Sequence, residues 1–92
     1  MKIKFSKEFL KQYKKADIRI RQRVDEKLLI FEKNPMDISL KNHPLHGIYL
    51  GDRSIDITSD WRAIYKELPE VEKTESIAYF TTLGTHNQLY RK

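Results

Sequence analysis

All three histidines of the chain lie outside the segments whose pattern predicts a helix. His43 and His46 belong to a loop, and His86 follows a predicted strand. Imidazole titrates near neutral pH, so a histidine at the end of a strand or in a neighbouring loop can act as a general acid or base. Three histidines in 92 residues is ordinary abundance. A loop histidine is more often an exposed polar residue than a catalyst, and the count alone predicts no activity.

A zinc site is one alternative use of these histidines. His43 and His46 are three residues apart, and His86 could supply a third ligand. The chain has no cysteine, however, and the loop that contains Pro44 is not a helix that would present the first two rings on one face. We therefore expect no metal and no other cofactor.

Two turns near predicted strand ends add further candidates. Gly84 permits a sharp turn after a strand, so that the side chains of Thr85 and His86 would project over the edge of the sheet. Asp60 and Trp61 lie at a hairpin, where a buried aspartate could orient a histidine. Taken alone, Asp60 is equally a turn residue and Trp61 a core aromatic, and the sequence favours these structural roles.

The N-terminal third of the chain predicts a strand and two helices. Ile3 and Phe5 alternate with lysines, as in a short strand with one buried side. Ser6 is a suitable N-cap for a helix over residues 7–15. A second helix follows a break near Asp17 and ends at Asn34-Pro35, with apolar residues at helical spacing: Ile20, Val24, Leu28 and Phe31. A hairpin of two such helices needs a sheet to cover its apolar side.

The remainder of the chain predicts that sheet. Residues 35–51 form a loop rich in proline and glycine, and strands are expected over 53–58, 61–66 and 75–83, the last one central. Residues 68–73 form a polar loop, Gly84 ends the last strand, and residues 85–92 form a tail. The predicted fold class is α+β: an N-terminal strand and a helical hairpin packed on a small twisted antiparallel sheet, in one domain over residues 1–92.

Charge is unevenly distributed along the chain. The net charge is +5, but residues 1–34 carry eight Lys and three Arg against five acidic residues, whereas residues 35–92 carry seven basic and eight acidic residues. This asymmetry suggests a polyanionic partner, either nucleic acid or an acidic protein, although solvated helix faces explain it equally well. The absence of cysteine, of a membrane-length apolar run and of a signal peptide predicts a cytoplasmic protein without a membrane partner.

Four motifs in the C-terminal half occur together in order. They are His43-Pro44-Leu45-His46-Gly47, Gly51-Asp52-Arg53, Ser59-Asp60-Trp61-Arg62-Ala63-Ile64-Tyr65-Lys66 and Leu83-Gly84-Thr85-His86-Asn87-Gln88-Leu89-Tyr90. With them the chain resembles, over essentially its whole length, the RelE/ParE toxin superfamily and most closely its YafQ-like branch. The resemblance implies a toxin of a type II toxin–antitoxin pair that cleaves mRNA in the ribosomal A site without a metal. It also implies an antitoxin partner, with the toxin as a monomer within a hetero-oligomeric complex.

The resemblance implies catalytic roles for four residues. His43 matches the loop histidine of the family, His86 the histidine after Gly-Thr, and Asp60 the hairpin aspartate. Arg62 lies where related toxins hold a strand arginine that contacts the scissile phosphate. Such an arginine can bind a phosphate in a bidentate manner.

Substrate contacts are expected from a second group of residues. Tyr90 occupies the place of a C-terminal aromatic that positions RNA, by stacking on a base or by a hydrogen bond. We expect further substrate contacts from Trp61, Arg53 and Asp56.

Two positions depart from the family pattern. Asp56 replaces a strand histidine, and Thr82 replaces an arginine two residues before the Gly-Thr-His turn. Loss of that arginine removes a stabiliser of transition-state charge, for which Arg62 or Arg53 could compensate. Two alternatives therefore stay open: a ParE-like inhibitor of DNA gyrase, and a non-catalytic partner-binding domain of the same fold. Gyrase-binding relatives generally lack the paired histidines that this chain has at 43 and 86.

Overall fold

The computed structural model describes residues 1–69 and 75–90, in which two long helices cover one side of a five-stranded sheet. Its elements are β1 (Lys2–Phe5), α1 (Lys7–Lys15), α2 (Ile18–Lys33), β2 (His43–Pro44), β3 (Arg53–Asp56), β4 (Trp61–Pro69), β5 (Ser76–Thr85) and α3 (His86–Tyr90). The strand order is β1-β5-β4-β3-β2. Within the described residues, no helix is long and apolar enough to cross a lipid bilayer.

The two long helices begin at side chains that satisfy free backbone amides. The Ser6 hydroxyl accepts a hydrogen bond from the Phe9 amide at 2.9 Å, and the Asp17 carboxylate accepts one from the Arg19 amide at 2.8 Å. The second helix stops at Asn34, immediately before Pro35. These caps confirm the helix limits that the sequence predicts.

The helices bury an aromatic core against one face of the sheet. Phe9, Phe31, Tyr65 and Phe80 are each at most 2% exposed. The Phe31 ring centroid lies 5.1 Å from that of Tyr65 and 5.3 Å from that of Phe80, in edge-to-face arrangements. We call this cluster, with the aliphatic residues around it, the helix-side core.

The opposite face of the sheet holds a much smaller apolar cluster. Leu45, Ile64 and Leu89 are buried there, and the rings of Tyr49 and Tyr90 pack against them. Leu89 belongs to α3, so this cluster attaches the C-terminal helix to the sheet. We call it the cleft-side cluster.

The loop predicted over residues 35–51 contains more structure than the sequence pattern indicates. His43 and Pro44 form an edge strand that pairs with Ser54 and Arg53, and two short 3-10 turns flank it, Ile38–Leu40 and Gly47–Tyr49. Proline lacks an amide donor and is tolerated in a strand at such an edge. The edge strand brings His43 to the sheet.

Gly84 does not end the last strand, as the sequence predicts, but lies within β5 opposite Arg62. A Cβ atom at Gly84 would lie 3.0 Å from Gln88 Oε1 and 3.2 Å from Leu89 Cδ2, so a larger residue here would require these two side chains of α3 to shift by a few tenths of an ångström. Within the tail predicted over residues 85–92, His86–Tyr90 form helix α3. Residues 91 and 92 lie outside the described residues.

The sheet also departs from the prediction in two details. The predicted central strand, β5, is an interior strand paired with β1 and β4, while β4 occupies the centre. β1 pairs with β5 in parallel, whereas the other pairs are antiparallel. The α+β fold class is confirmed. Most of the loop predicted over residues 68–73 lies outside the described residues, since β4 extends to Pro69.

Candidate active site

A cleft of about 530 Å³ opens on the side of the sheet away from the helix-side core. Asp56 and Arg62 face it because they alternate along their strands with buried core residues. Its lining comprises Lys41, His43, Pro44, Leu45, His46, Asp56, Arg62, His86 and Tyr90. Five residues singled out as catalytic or substrate-binding candidates are thus brought together: His43, Asp56, Arg62, His86 and Tyr90.

Arg62 forms the polar floor of the cleft. Its Nε atom lies 3.0 Å from Asp56 Oδ1 across the β3–β4 pair, and both side chains are 17% exposed. Its Nη1 atom donates to the backbone carbonyls of Thr58, Ser59 and Trp61 at 3.0, 3.1 and 3.2 Å. The guanidinium group is therefore fixed in position. Among residues 1–69 and 75–90, no hydrogen bond uses its Nη2 atom, which leaves donors for a bound anion.

His43 is oriented by the backbone of Lys41. Its Nδ1 atom lies 2.8 Å from the Lys41 carbonyl oxygen. A carbonyl oxygen only accepts, so Nδ1 carries the hydrogen in the neutral ring and Nε2 keeps its lone pair. Lys41 adopts the left-handed conformation (φ 48°, ψ 44°), which is uncommon for a residue with a side chain. This strained backbone directs the carbonyl that fixes the His43 tautomer.

His86 is held by both its backbone and its ring. Its amide donates to the Asp60 carbonyl at 2.8 Å, which anchors the start of α3 to the β3–β4 turn. Its ring centroid lies 4.7 Å from that of Tyr90, one helical turn later.

Tyr90 is held by contacts with two other elements. Its ring centroid lies 5.8 Å from that of Tyr49 in an edge-to-face arrangement, and the Tyr90 hydroxyl lies 3.4 Å from Ser54 Oγ. Burial, and then the nearby Tyr90 and Asp52, raise the pKa of Tyr49, so its phenol stays protonated at neutral pH.

Three of the predicted site residues do not line the cleft. Asp60 is exposed in the turn, and only its backbone carbonyl reaches His86. Trp61 packs against the helix-side core. Arg53 shares that face with its strand partner Tyr65, and its Nε atom donates to Asn42 Oδ1 at 2.7 Å. Strand alternation turns Trp61 and Arg53 away from the cleft, and the turn geometry exposes Asp60.

Thr82, the second departure from the family pattern, also lies outside the cleft lining. It pairs in register with Ile64 and lines a separate depression that includes Trp61. Asp56, the first departure, is in the cleft and neutralises part of the Arg62 charge. Of these two departures, Asp56 alone changes the lining of the cleft.

Two further residues with ionisable side chains, His46 and Lys41, line the cleft without being marked as catalytic or substrate-binding by the sequence. His46 belongs to the same motif as His43 but stands out only as a possible metal ligand. Lys41 has no signal in the sequence, because nothing in the pattern predicts its left-handed backbone. Among the described residues, the cleft thus combines three imidazoles, two cations and one carboxylate. In the described part of the chain, no group of three or more His, Asp or Glu side chains is arranged to hold a metal ion.

Comparison with known families identifies one match over nearly the whole chain. Residues 1–91 match the family described as the bacterial toxin of type II toxin-antitoxin system, YafQ. The mRNA interferase toxin YafQ of Escherichia coli (strain K12) is 35% identical over 63 residues. That alignment covers 68% of this chain and 62% of the relative, so the chain spans less than two thirds of the relative's length.

Solved structures with this fold include toxins alone and in complexes. The E. coli DinJ–YafQ complex contains a chain that superposes with a TM-score of 0.61 at 29% identity, covering 96% of both chains. A YoeB/ParE toxin from Agrobacterium tumefaciens superposes with a TM-score of 0.73 at 20% identity, covering 94% of this chain and 99% of that one. At that identity the second likeness shows the fold alone.

Proposed function

Because the chain belongs to the YafQ family of bacterial type II toxins, we propose that it is an endoribonuclease that cleaves mRNA on the ribosome in the cytoplasm and so stops translation. The observation that carries this proposal is the cleft, which gathers two histidines, an arginine and a tyrosine on one side of the sheet. Such a set suits cleavage of RNA by its own 2′-hydroxyl, in which one group removes a proton, another returns one, and a cation stabilises the phosphorane.

His43 is the general base of the proposed reaction. Its hydrogen bond to the Lys41 carbonyl leaves the Nε2 lone pair free to take the proton from the ribose 2′-hydroxyl. The 2′-oxygen then attacks the adjacent phosphorus, and the bond from phosphorus to the 5′-oxygen of the next nucleotide breaks. The products are a 2′,3′-cyclic phosphate and a 5′-hydroxyl end.

His86 is the general acid, and Arg62 and Tyr90 bind the reacting nucleotides. Protonated His86 gives its proton to the leaving 5′-oxygen. Arg62, held by Asp56 and three backbone carbonyls, offers Nη2 to the non-bridging phosphate oxygens. The Tyr90 ring stacks on a base beside the scissile bond. Asp60 acts through its backbone carbonyl, which holds His86, and Trp61 and Arg53 keep the strands in place.

A cognate antitoxin is the second proposed partner. The E. coli YafQ that resembles this chain is found in a complex with DinJ. The excess of positive charge in residues 1–34 suits an acidic segment of such an antitoxin, and the toxin would enter the complex as a monomer. Antitoxin binding over the basic surface would compete with binding to ribosomal RNA.

The test is cleavage of mRNA on purified ribosomes programmed with a defined message. Wild type is expected to cut within translated codons and leave 5′-hydroxyl ends, and His86→Ala to lose at least roughly tenfold to a hundredfold in rate. Intact mRNA, together with inhibition of DNA supercoiling by gyrase in a separate plasmid assay, would replace this proposal with gyrase inhibition. Intact mRNA without that change would favour a non-catalytic domain.

The acid and base roles are separated by a substrate with a sulfur atom in place of the 5′-bridging oxygen at the mapped cleavage site. Sulfur leaves without protonation, so this message should restore cleavage by His86→Ala but not by His43→Ala. Rescue of His43→Ala alone would exchange the two roles.

A further inference from the structure

A second, smaller depression lies beside the cleft. Its volume is about 250 Å³, and its walls carry three cations, Arg23 and Lys27 from α2 and Lys41 from the turn before β2. Lys41 and Asp56 line both the depression and the cleft. The two spaces therefore adjoin at these two residues, between Arg62 in the cleft and the side of α2.

The charges in this depression are poorly compensated. Lys27 Nζ donates to the neutral backbone carbonyl of Ser39 at 3.2 Å. Asp37 interacts electrostatically with Lys27 but forms no ion pair with it and does not line the depression. Arg23 contacts Glu26 at 3.3 Å, but both side chains are about half exposed, so solvent weakens this pair. Among the described residues of the walls, the one carboxylate is that of Asp56, which is already paired with Arg62. In the part of the chain that the structure describes, the Lys41 side chain makes no ion pair or hydrogen bond.

Hydroxyl groups at the other wall add neutral donors. Thr58 and Ser59 belong to the β3–β4 turn and line the depression. Thr58 Oγ1 accepts from the amides of Asp60 and Trp61 at 3.2 and 3.0 Å, so its own hydrogen remains available to donate. Arg62 donates hydrogen bonds to the backbone carbonyls of Thr58 and Ser59, which fixes this turn. Cations with hydroxyl donors around a small depression suit a phosphate group.

We propose that this basic depression is a second phosphate subsite, which binds the backbone of the RNA strand next to the nucleotides in the cleft. The inference rests on the proposed function, because the strand that it binds is the substrate. The two residues that line both spaces, Lys41 and Asp56, favour the substrate strand over a separate ribosomal RNA. The subsite extends RNA binding beyond the scissile bond, and it contacts the phosphate backbone rather than the bases.

The test measures binding of fluorescein-labelled 2′-O-methyl RNA oligonucleotides of three and eight nucleotides, which lack the attacking hydroxyl and are not cleaved. The triple variant Arg23→Gln/Lys27→Gln/Lys41→Gln is compared with a control of equal charge, Lys11→Gln/Lys14→Gln/Lys33→Gln, whose side chains are exposed elsewhere on the helices. Circular dichroism and urea titration establish that both variants fold. Titrations at several salt concentrations give the salt dependence of each affinity.

For wild type and the control, the eight-nucleotide RNA should bind more tightly than the three-nucleotide RNA. In the subsite variant the ratio of the eight-nucleotide affinity to the three-nucleotide affinity should fall by roughly tenfold to a hundredfold at moderate salt. The slope of log affinity against log salt concentration should also become shallower by about 0.7 for each lost phosphate contact. Equal losses in the subsite and control variants overturn the proposal, since they indicate net charge alone. Unchanged oligonucleotide binding with weaker binding to 70S ribosomes also overturns it, in favour of ribosomal RNA.

Cleavage of mRNA on ribosomes distinguishes failure of the proposed function from failure of the subsite. Wild-type protein that leaves mRNA uncut on ribosomes contradicts the nuclease, whatever the oligonucleotides do. Wild-type cleavage combined with no gain in affinity from three to eight nucleotides contradicts the subsite alone.

Discussion

The two faces of the sheet carry different kinds of side chains. The helix-side core packs four aromatic rings and several aliphatic side chains, nearly all without exposure to water. Among residues 1–69 and 75–90, the buried apolar cluster on the cleft side has three aliphatic residues, and the cleft beside it is lined mainly by polar or partly exposed side chains. Because burial of apolar area is the main stabilising contribution, most of the stability should come from the helix side. The cleft side can then carry charged and titratable groups.

The faces also differ in how they fix side chains. On the helix side, close packing of rings sets their positions. On the cleft side, backbone carbonyls do so: that of Lys41 holds the His43 ring, that of Asp60 holds the His86 amide, and three others hold Arg62. Substitutions in the core should therefore change stability, and substitutions in the cleft should change chemistry.

Phe31→Ala should produce the largest change in stability. Phe31 is fully buried between α2 and the sheet, and its loss should lower the free energy of unfolding by about 3–5 kcal/mol. For a domain of this size that is a large share of the total. Urea denaturation gives the value. Leu29→Ala on the same helix, where the side chain is 62% exposed, should change it by less than about 1 kcal/mol. Equal effects would mean that α2 is not packed as described.

Leu89→Ala should have a smaller effect on stability and a distinct effect on activity. Leu89 is 3% exposed in the cleft-side cluster, so the free energy of unfolding should fall by about 2–3 kcal/mol. Cleavage measured below the unfolding transition should fall as well, because α3 carries His86 and Tyr90. Leu50→Ala, at a side chain 76% exposed, is the matched control. Full activity of folded Leu89→Ala would show that α3 needs no support from this cluster.

Alkaline pH should lower the stability that the helix side contributes through Tyr65. Burial raises the pKa of Tyr65 above its ordinary value of 10.0, although its hydrogen bond with Asn42 acts in the opposite direction. Between the unfolded and folded pKa values the unfolded chain binds fewer protons, so stability is intact below pH 10 and falls as pH rises through this interval. Urea titrations at increasing pH measure the slope. Tyr65→Phe should reduce that slope, and an unchanged slope would place its origin in other tyrosines.

The helix side is the part of the molecule that the sequence predicts best. Ser6, Asp17 and Pro35 mark the ends of α1 and α2, and apolar spacing marks the buried sides. Strands β3 and β4 show alternation for the same local reason. The parallel pairing of β1 with β5 joins residues about 75 positions apart, and no local pattern encodes it.

The cleft is predicted less completely, for physical reasons that differ by residue. The histidines, Arg62 and Tyr90 are marked by family motifs, and these side chains line one cleft. Their chemical roles stay predictions. Helix α3 has five residues and β2 has two, too few to show a period. The Asp56–Arg62 ion pair depends on strand register, and the position of Lys41 depends on a left-handed backbone. These features become visible only in three dimensions.

The cleavage rate and the free energy of unfolding of His86→Ala, measured on the same preparation, test the division between the two faces most directly. His86 is exposed, so the free energy of unfolding should change by no more than about 0.5 kcal/mol. The rate of mRNA cleavage on ribosomes should fall at least roughly tenfold. A rate equal to that of wild type, or a loss of rate explained by unfolding of the variant, would contradict a catalytic role for the cleft.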